Sequence, residues 1–222
     1  MASINCCYSL VLVVVALASA PLAAVAGDPD ILTDFVVPTP MIGMPPMNIT
    51  GDFFTYTGFG AAMNMTPMPM PMPGMQNFTV TKATMMEFPA LNGQSVAYAM
   101  LKFPSESVNP PHTHPRAAEL LLVLDGALSV GFVDTAGKLY TQDLAAGDMF
   151  VFPKGLVHYQ SNPGQSHAVA LSAFGSSAPG TVSVPVTVFG TGVDDAVLAK
   201  SFKTDLPTVQ KLKAALTPPP KK

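Results

Sequence analysis

The sequence predicts an all-β protein, an antiparallel sandwich or barrel with an extended N-terminal arm and a short helical segment at its C-terminus. Two observations carry this. From about residue 78, short apolar runs recur between Gly, Pro, Asn and Asp, with no helical spacing between them. After residue 190 the spacing of apolar residues changes to that of amphipathic helices.

The elements follow in chain order. Residues 1–26 form a signal peptide: the uncharged run from Cys6 to Ala26 ends in the small residues Ala24-Val25-Ala26, a cleavage-site pattern. The alternative, a membrane anchor, is opposed by Pro21 and by the density of small residues. Both cysteines, Cys6 and Cys7, lie in this segment, so the mature chain has no disulfide and depends on core burial and assembly. Residues 27–77 are an arm rich in Pro that ends in "MNMTPMPMPMPGM", where Pro excludes helix and central strand. This run reads as a loop, with a soft thioether site for Cu(I) as the alternative. Three glycosylation sequons begin at Asn48, Asn64 and Asn77.

Residues 78–190 hold the strands "SVAYAMLKF", "LLLVLDGALSVGFV", "KLYTQDL", "DMFVFP", "LVHYQS" and "AVALSAF". Asp125-Gly126 reads as a type I′ hairpin turn, and Asp134 to Lys138 and Ala145 to Asp148 as further turns. Residues 191–217 form two helices. Asp194 and Asp195 open the first, with Val197, Leu198 and Phe202 as its apolar side. Pro207 opens the second, with Val209, Leu212 and Leu216. Residues 218–222 are a disordered tail.

The composition is 49% hydrophobic and only 11% charged, with a formal net charge of -3. No basic patch is present, so nucleic acid is excluded as a partner, and no membrane association is expected after signal cleavage.

Four histidines occur in 222 residues, and two of them stand one residue apart in "NPPHTHPRAAE". On a strand, His112 and His114 share a face. Pro115 bends the chain so that Glu119 rejoins that face. Downstream, the turn Pro153-Lys154-Gly155 feeds His158 into another strand. A set of three imidazoles and one carboxylate leaves two positions in an octahedral site, which suits Mn or Fe better than structural Zn. His167 stands alone and reads as a non-ligand.

At these residues the chain resembles the germins and germin-like proteins of the cupin superfamily. "NPPHTHPRAAELLLVLDGAL" and "GDMFVFPKGLVHYQSNPG" are similar to the two cupin motifs, and "VFGTGVDDAVLAKSF" and "GDPDILTDFVV" extend the likeness over nearly the whole mature chain. The resemblance implies a cupin β-barrel (jelly-roll) and a secreted plant glycoprotein of the apoplast or cell wall. It also implies Mn(2+) held by His112, His114, Glu119 and His158, and a homohexamer built as a trimer of dimers. Two departures touch the arm: Phe35-Val36-Val37 stands where the family usually has a cysteine, and the Met/Pro run is atypical.

The family includes oxalate oxidase, in which two asparagines hold the substrate. Asn109, three residues before His112, matches one of them; thirteen residues before His112 stands Ala99 instead of the other. A missing amide leaves substrate oxygens unpaired, which demotes oxalate oxidation. The expected activity is dismutation of the small anion superoxide, with a role in defence or stress. The alternative from another class is a non-catalytic wall, receptor or storage cupin.

Overall fold

The computed structural model describes residues 27–39, 48–63 and 78–217. The signal segment, most of the Met/Pro run, Asn64, Asn77 and the tail lie outside them. The described residues form ten strands: β1 (Thr79–Ala83), β2 (Ala97–Phe103), β3 (Val108–Thr113), β4 (Glu119–Asp125), β5 (Ala127–Val133), β6 (Leu139–Ala145), β7 (Met149–Phe152), β8 (Val157–Ser161), β9 (Ala168–Phe174) and β10 (Val182–Ser183). They form two five-stranded antiparallel sheets, ordered β1-β2-β9-β4-β7 and β10-β3-β8-β5-β6. The chain passes repeatedly from one sheet to the other, which is the jelly-roll arrangement.

That crossing corrects the expectation at Asp125-Gly126. Gly126 does take a positive φ of 74°, but β4 and β5 do not pair: β4 lies between β7 and β9, and β5 between β6 and β8. A type I′ turn needs two positive φ values, and Asp125 is not in that region. Glycine is required here because a Cβ would lie 2.6 Å from the His167 carbonyl oxygen. The other two turns form as read. Asp134 Oδ1 accepts from the amides of Ala136 and Lys138, and Asp148 Oδ2 from that of Ala145, each at 2.9 Å.

Alternation along the strands builds the core. Ala97, Ala99, Leu101 and Phe103 of β2 face inward, as do Leu121 and Val123 of β4, Leu128 and Val130 of β5, and Phe152 of β7. Full burial of each large side chain stabilises by roughly 1.5–3 kcal/mol.

The arm is tied to the barrel at its start. Asp28 Oδ1 accepts from Ser176 Oγ at 2.5 Å, and Oδ2 accepts from the Ser177 amide at 2.7 Å. Burial opposes the ionised form, but these bonds outweigh it and hold the carboxyl below its ordinary range. Phe35, at the position of the missing cysteine, packs edge-on against Phe54 with ring centroids 5.1 Å apart, and Phe53 completes the cluster.

Three helices close the chain: α1 (Val184–Phe189), α2 (Asp195–Phe202) and α3 (Leu206–Leu216). The first is a correction, since helical spacing is expected only after residue 190 and "VSVPVTVFG" lies before it. Pro185 sits in the first turn, where its missing N–H costs nothing, and the strand ends after two residues. Asp194 caps α2 by accepting from Ala196 and Val197, and Asp205 caps α3 by accepting from Thr208. Leu198 and Val209 are buried, whereas Val197 and Phe202 stay more than half exposed.

Candidate metal centre

Both sheets supply the site. In the second sheet His112 of β3 lies directly opposite His158 of β8. Glu119 opens β4 in the first sheet, and His114 stands in the connection between them. All four side chains are buried, and one candidate ligand atom from each lies within 4.8 Å of the others.

Strict alternation would send Asn109 and His112 to opposite faces. Pro110 and Pro111 cannot donate to the ladder, and the register shifts between Asn109 and His112. That irregularity turns both inward, and Asn109 Nδ2 comes within 3.5 Å of His112 Nε2.

Each imidazole is oriented by a main-chain carbonyl. His112 Nδ1 donates to Pro110 O at 2.8 Å, His158 Nδ1 to Leu156 O at 2.9 Å, and His114 Nδ1 to Gly180 O at 2.5 Å. A carbonyl only accepts, so the proton resides on Nδ1 and the Nε2 lone pairs point to the centre. Glu119 Oε2 also points there, 3.1 Å from Nε2 of both His114 and His158. With Nδ1 protonated, neutral rings offer only acceptors to this carboxylate. Acceptors converging in a buried space call for positive charge between them, a metal ion or a second proton on a ring.

The electrostatics agree. Burial, aided by the neighbouring His158, pushes His112 down to about 4, which keeps the ring neutral and able to ligate. Burial alone would raise Glu119; His114 and His158 hold the carboxyl well below the usual range only where they meet it as donors or cations, the part a bound cation takes when the rings are neutral.

The far oxygen of Glu119 is held too. Oε1 accepts from Ser172 Oγ at 2.6 Å and from Gln160 Nε2 at 3.2 Å, and Gln160 Oε1 accepts from Asn109 Nδ2 at 2.7 Å. Reading the sequence missed Gln160 and Ser172. Gln160 was within reach of it, since residues two apart on a strand share a face with His158. Ser172 was not, because it lies on a strand with no motif.

A cavity of about 300 Å³ opens onto the site, with Val80, Ala99, Leu101, Met86 and Phe174 among its walls. The exposed residues Lys82, Arg116 and Glu87 also line it. Ala99 therefore places a methyl group where the resemblance to oxalate oxidase calls for an amide. His167 stands apart, paired with Asp125 at 3.1 Å, both well exposed. Asn48 is exposed, two residues before the Thr50 cap of a short 3-10 turn.

A cupin family profile matches residues 69–210. The chain is 72% identical over 213 residues to Germin-like protein 9-3 of Oryza sativa subsp. japonica, covering 96% of this chain and 97% of that protein. This chain belongs to the germin-like proteins of the cupin superfamily. It is also 69% identical to Putative germin-like protein 9-2 of the same organism, with the same coverage. Among solved structures, an oxalate oxidase superposes with a TM-score of 0.72 at 32% identity, covering 85% of this chain and 98% of that one. The germin-like jelly-roll is thus the frame on which the centre of three histidines and one glutamate is built. No helix among the described residues is long and apolar enough to cross a membrane.

Proposed function

We propose that this chain is a secreted manganese-binding glycoprotein of the plant apoplast, with superoxide dismutase activity at the centre formed by His112, His114, Glu119 and His158. The observation that carries the reading is the convergence of Nε2 lone pairs and one carboxylate oxygen in a buried space, with every Nδ1 proton committed to a carbonyl. Four neutral or singly charged ligands leave two positions of an octahedron free and a net positive charge at the ion, which favours an anion. Manganese, when bound, supplies a one-electron couple at this site.

The residues then do three things. The carbonyl-anchored imidazoles hold their lone pairs in place without reorganisation. The cavity admits a small anion, and Lys82 and Arg116 add positive charge along it, partly offset by Glu87. Asn109, held by Gln160, stands beside His112 as a polar contact for whatever enters.

Oxalate oxidation is the second reading. It is supported by the likeness to solved oxalate oxidases, one of them in complex with the substrate analogue glycolate, and opposed by Ala99. A non-catalytic wall, receptor or storage role differs in one outcome: loss of the metal would cost stability and no turnover. Assembly as a homohexamer is supported by the outer face of the first sheet. There Tyr98, Leu120, Met149 and Val151 are all more than two-fifths exposed, with Leu120 opposite Val151.

The test is metal analysis of the secreted protein, with superoxide and oxalate assays on the same sample. Expected are manganese close to one per chain, dismutation above that of free manganese and no oxalate turnover. A manganese-loaded protein with no activity above free manganese overturns the dismutase reading.

A further inference from the structure

The inward face of β9 presents Ala168, Ala170, Ser172 and Phe174, all buried. Ser172 is the one polar side chain on that face and is fully buried, with Ala99 and Leu121 as its Cα partners on the flanking strands. A hydroxyl there is destabilising unless it is satisfied. Its proton goes to Glu119 Oε1 at 2.6 Å, and Gln160 Nε2 reaches the same oxygen at 3.2 Å. The other oxygen, Oε2, faces the histidines. One carboxylate therefore has two unlike ends: an outer oxygen holding two donors and an inner oxygen free to ligate.

We propose that Ser172 is a positioning residue of the metal centre: its hydroxyl pins Glu119 Oε1, so that the carboxylate meets the ion through Oε2 alone and donates less charge to it. The inference rests on the reading that these four residues hold a redox-active ion. Two effects follow. The pinned carboxylate cannot swing to present both oxygens, which keeps a coordination position open. The donor on Oε1 also draws electron density away from Oε2, so the ligand favours the oxidised ion less than a free carboxylate would. Ser172 thus biases the couple toward the reduced ion.

The variants Ser172→Ala and Ser172→Thr test this, each loaded with manganese and compared with wild type by metal content, by the zero-field splitting of bound Mn(II) in EPR, and by midpoint potential. The Ala variant removes one oxygen from a packed strand and leaves the chain able to fold. It should alter the zero-field splitting and raise the oxidised-to-reduced ratio at a fixed poise about tenfold, a fall of ~59 mV for a one-electron couple. The Thr variant restores the hydroxyl and should return both readouts toward wild type, even where its extra methyl lowers the melting temperature. An Ala variant with wild-type splitting and potential overturns the proposal, as does one in which only the melting temperature moves. A properly folded Thr variant that fails to restore either readout overturns it too. A wild-type chain that takes up no manganese overturns the metal reading along with this one; normal uptake with an unchanged potential in the Ala variant overturns this one alone.

Discussion

His112 makes the site sensitive to acid. Its ring is held near 4, against an ordinary value of 6.5, chiefly by burial. An unfolded chain takes up this proton near pH 6.5, while the folded chain resists until about pH 4. Metal-free protein should therefore lose stability as the pH falls through that window and regain it as the pH rises. Thermal unfolding of chelator-treated protein across these pH values checks the sign. Protons should also displace the metal, so retention after dialysis should fall over the same range. Glu119 makes a second prediction. Glu119→Gln keeps the shape but removes the one negative charge among four buried ligands. Metal binding should weaken by roughly 3 kcal/mol, about a hundredfold, measured by competition with a chelator. The H-x-H pair and the glutamate five residues later were legible in the sequence because metal ligation imposes residue type and spacing. Ser172 was not, because its role comes from the pairing of β9 with β4, which sets it diagonally beside Glu119.

Among the elements, β3 shows how local chemistry redirects a strand. Pro110-Pro111 breaks the ladder, and the resulting irregularity carries Asn109 to the same side as His112. Most strands and the two C-terminal helices were readable, since apolar runs bounded by turn residues, and acidic residues or proline at a helix start, are local signals. The Asp125-Gly126 hairpin was misread, because a tight turn specifies a change of direction and not which sheet receives the next strand. Helix α1 lies outside the helical segment read from the sequence, because its six residues are too few to show amphipathic spacing. The arm offers a test at this scale. Asp28→Ala removes the acceptor for Ser176 and Ser177, and should cost about 1 kcal/mol of local stability. Faster amide exchange at Ser177, with exchange in the core strands unchanged, is the expected result. An exchange rate at Ser177 equal to wild type would count against the clip.

For the whole molecule, the outer face of the first sheet leaves Leu120, Met149 and Val151 exposed, and α2 leaves Val197 and Phe202 exposed, the surfaces on which the proposed assembly can be tested. Leu120→Asp places a charge in the middle of that sheet face, and if the face is covered by another copy the oligomer should dissociate. Light scattering on a sizing column measures this, with the wild type expected at several times the mass of one chain. A variant with unchanged mass would point assembly to another surface. The sequence alone was sufficient for the all-β class, most of the strand positions, the four candidate ligands and the family likeness, since each depends on residue type and on spacing within a short stretch. The sheet order, the carbonyl partner of His114, the hold on Glu119 and the methyl-lined cavity belong to the folded chain. They arise between residues tens of positions apart, such as His114 with Gly180 and Glu119 with Ser172, and no local periodicity records which strands will face each other. So "NPPHTHPRAAE" supplies three of the four candidate ligands, and the barrel that closes around it brings His158 to them and decides how they can hold an ion.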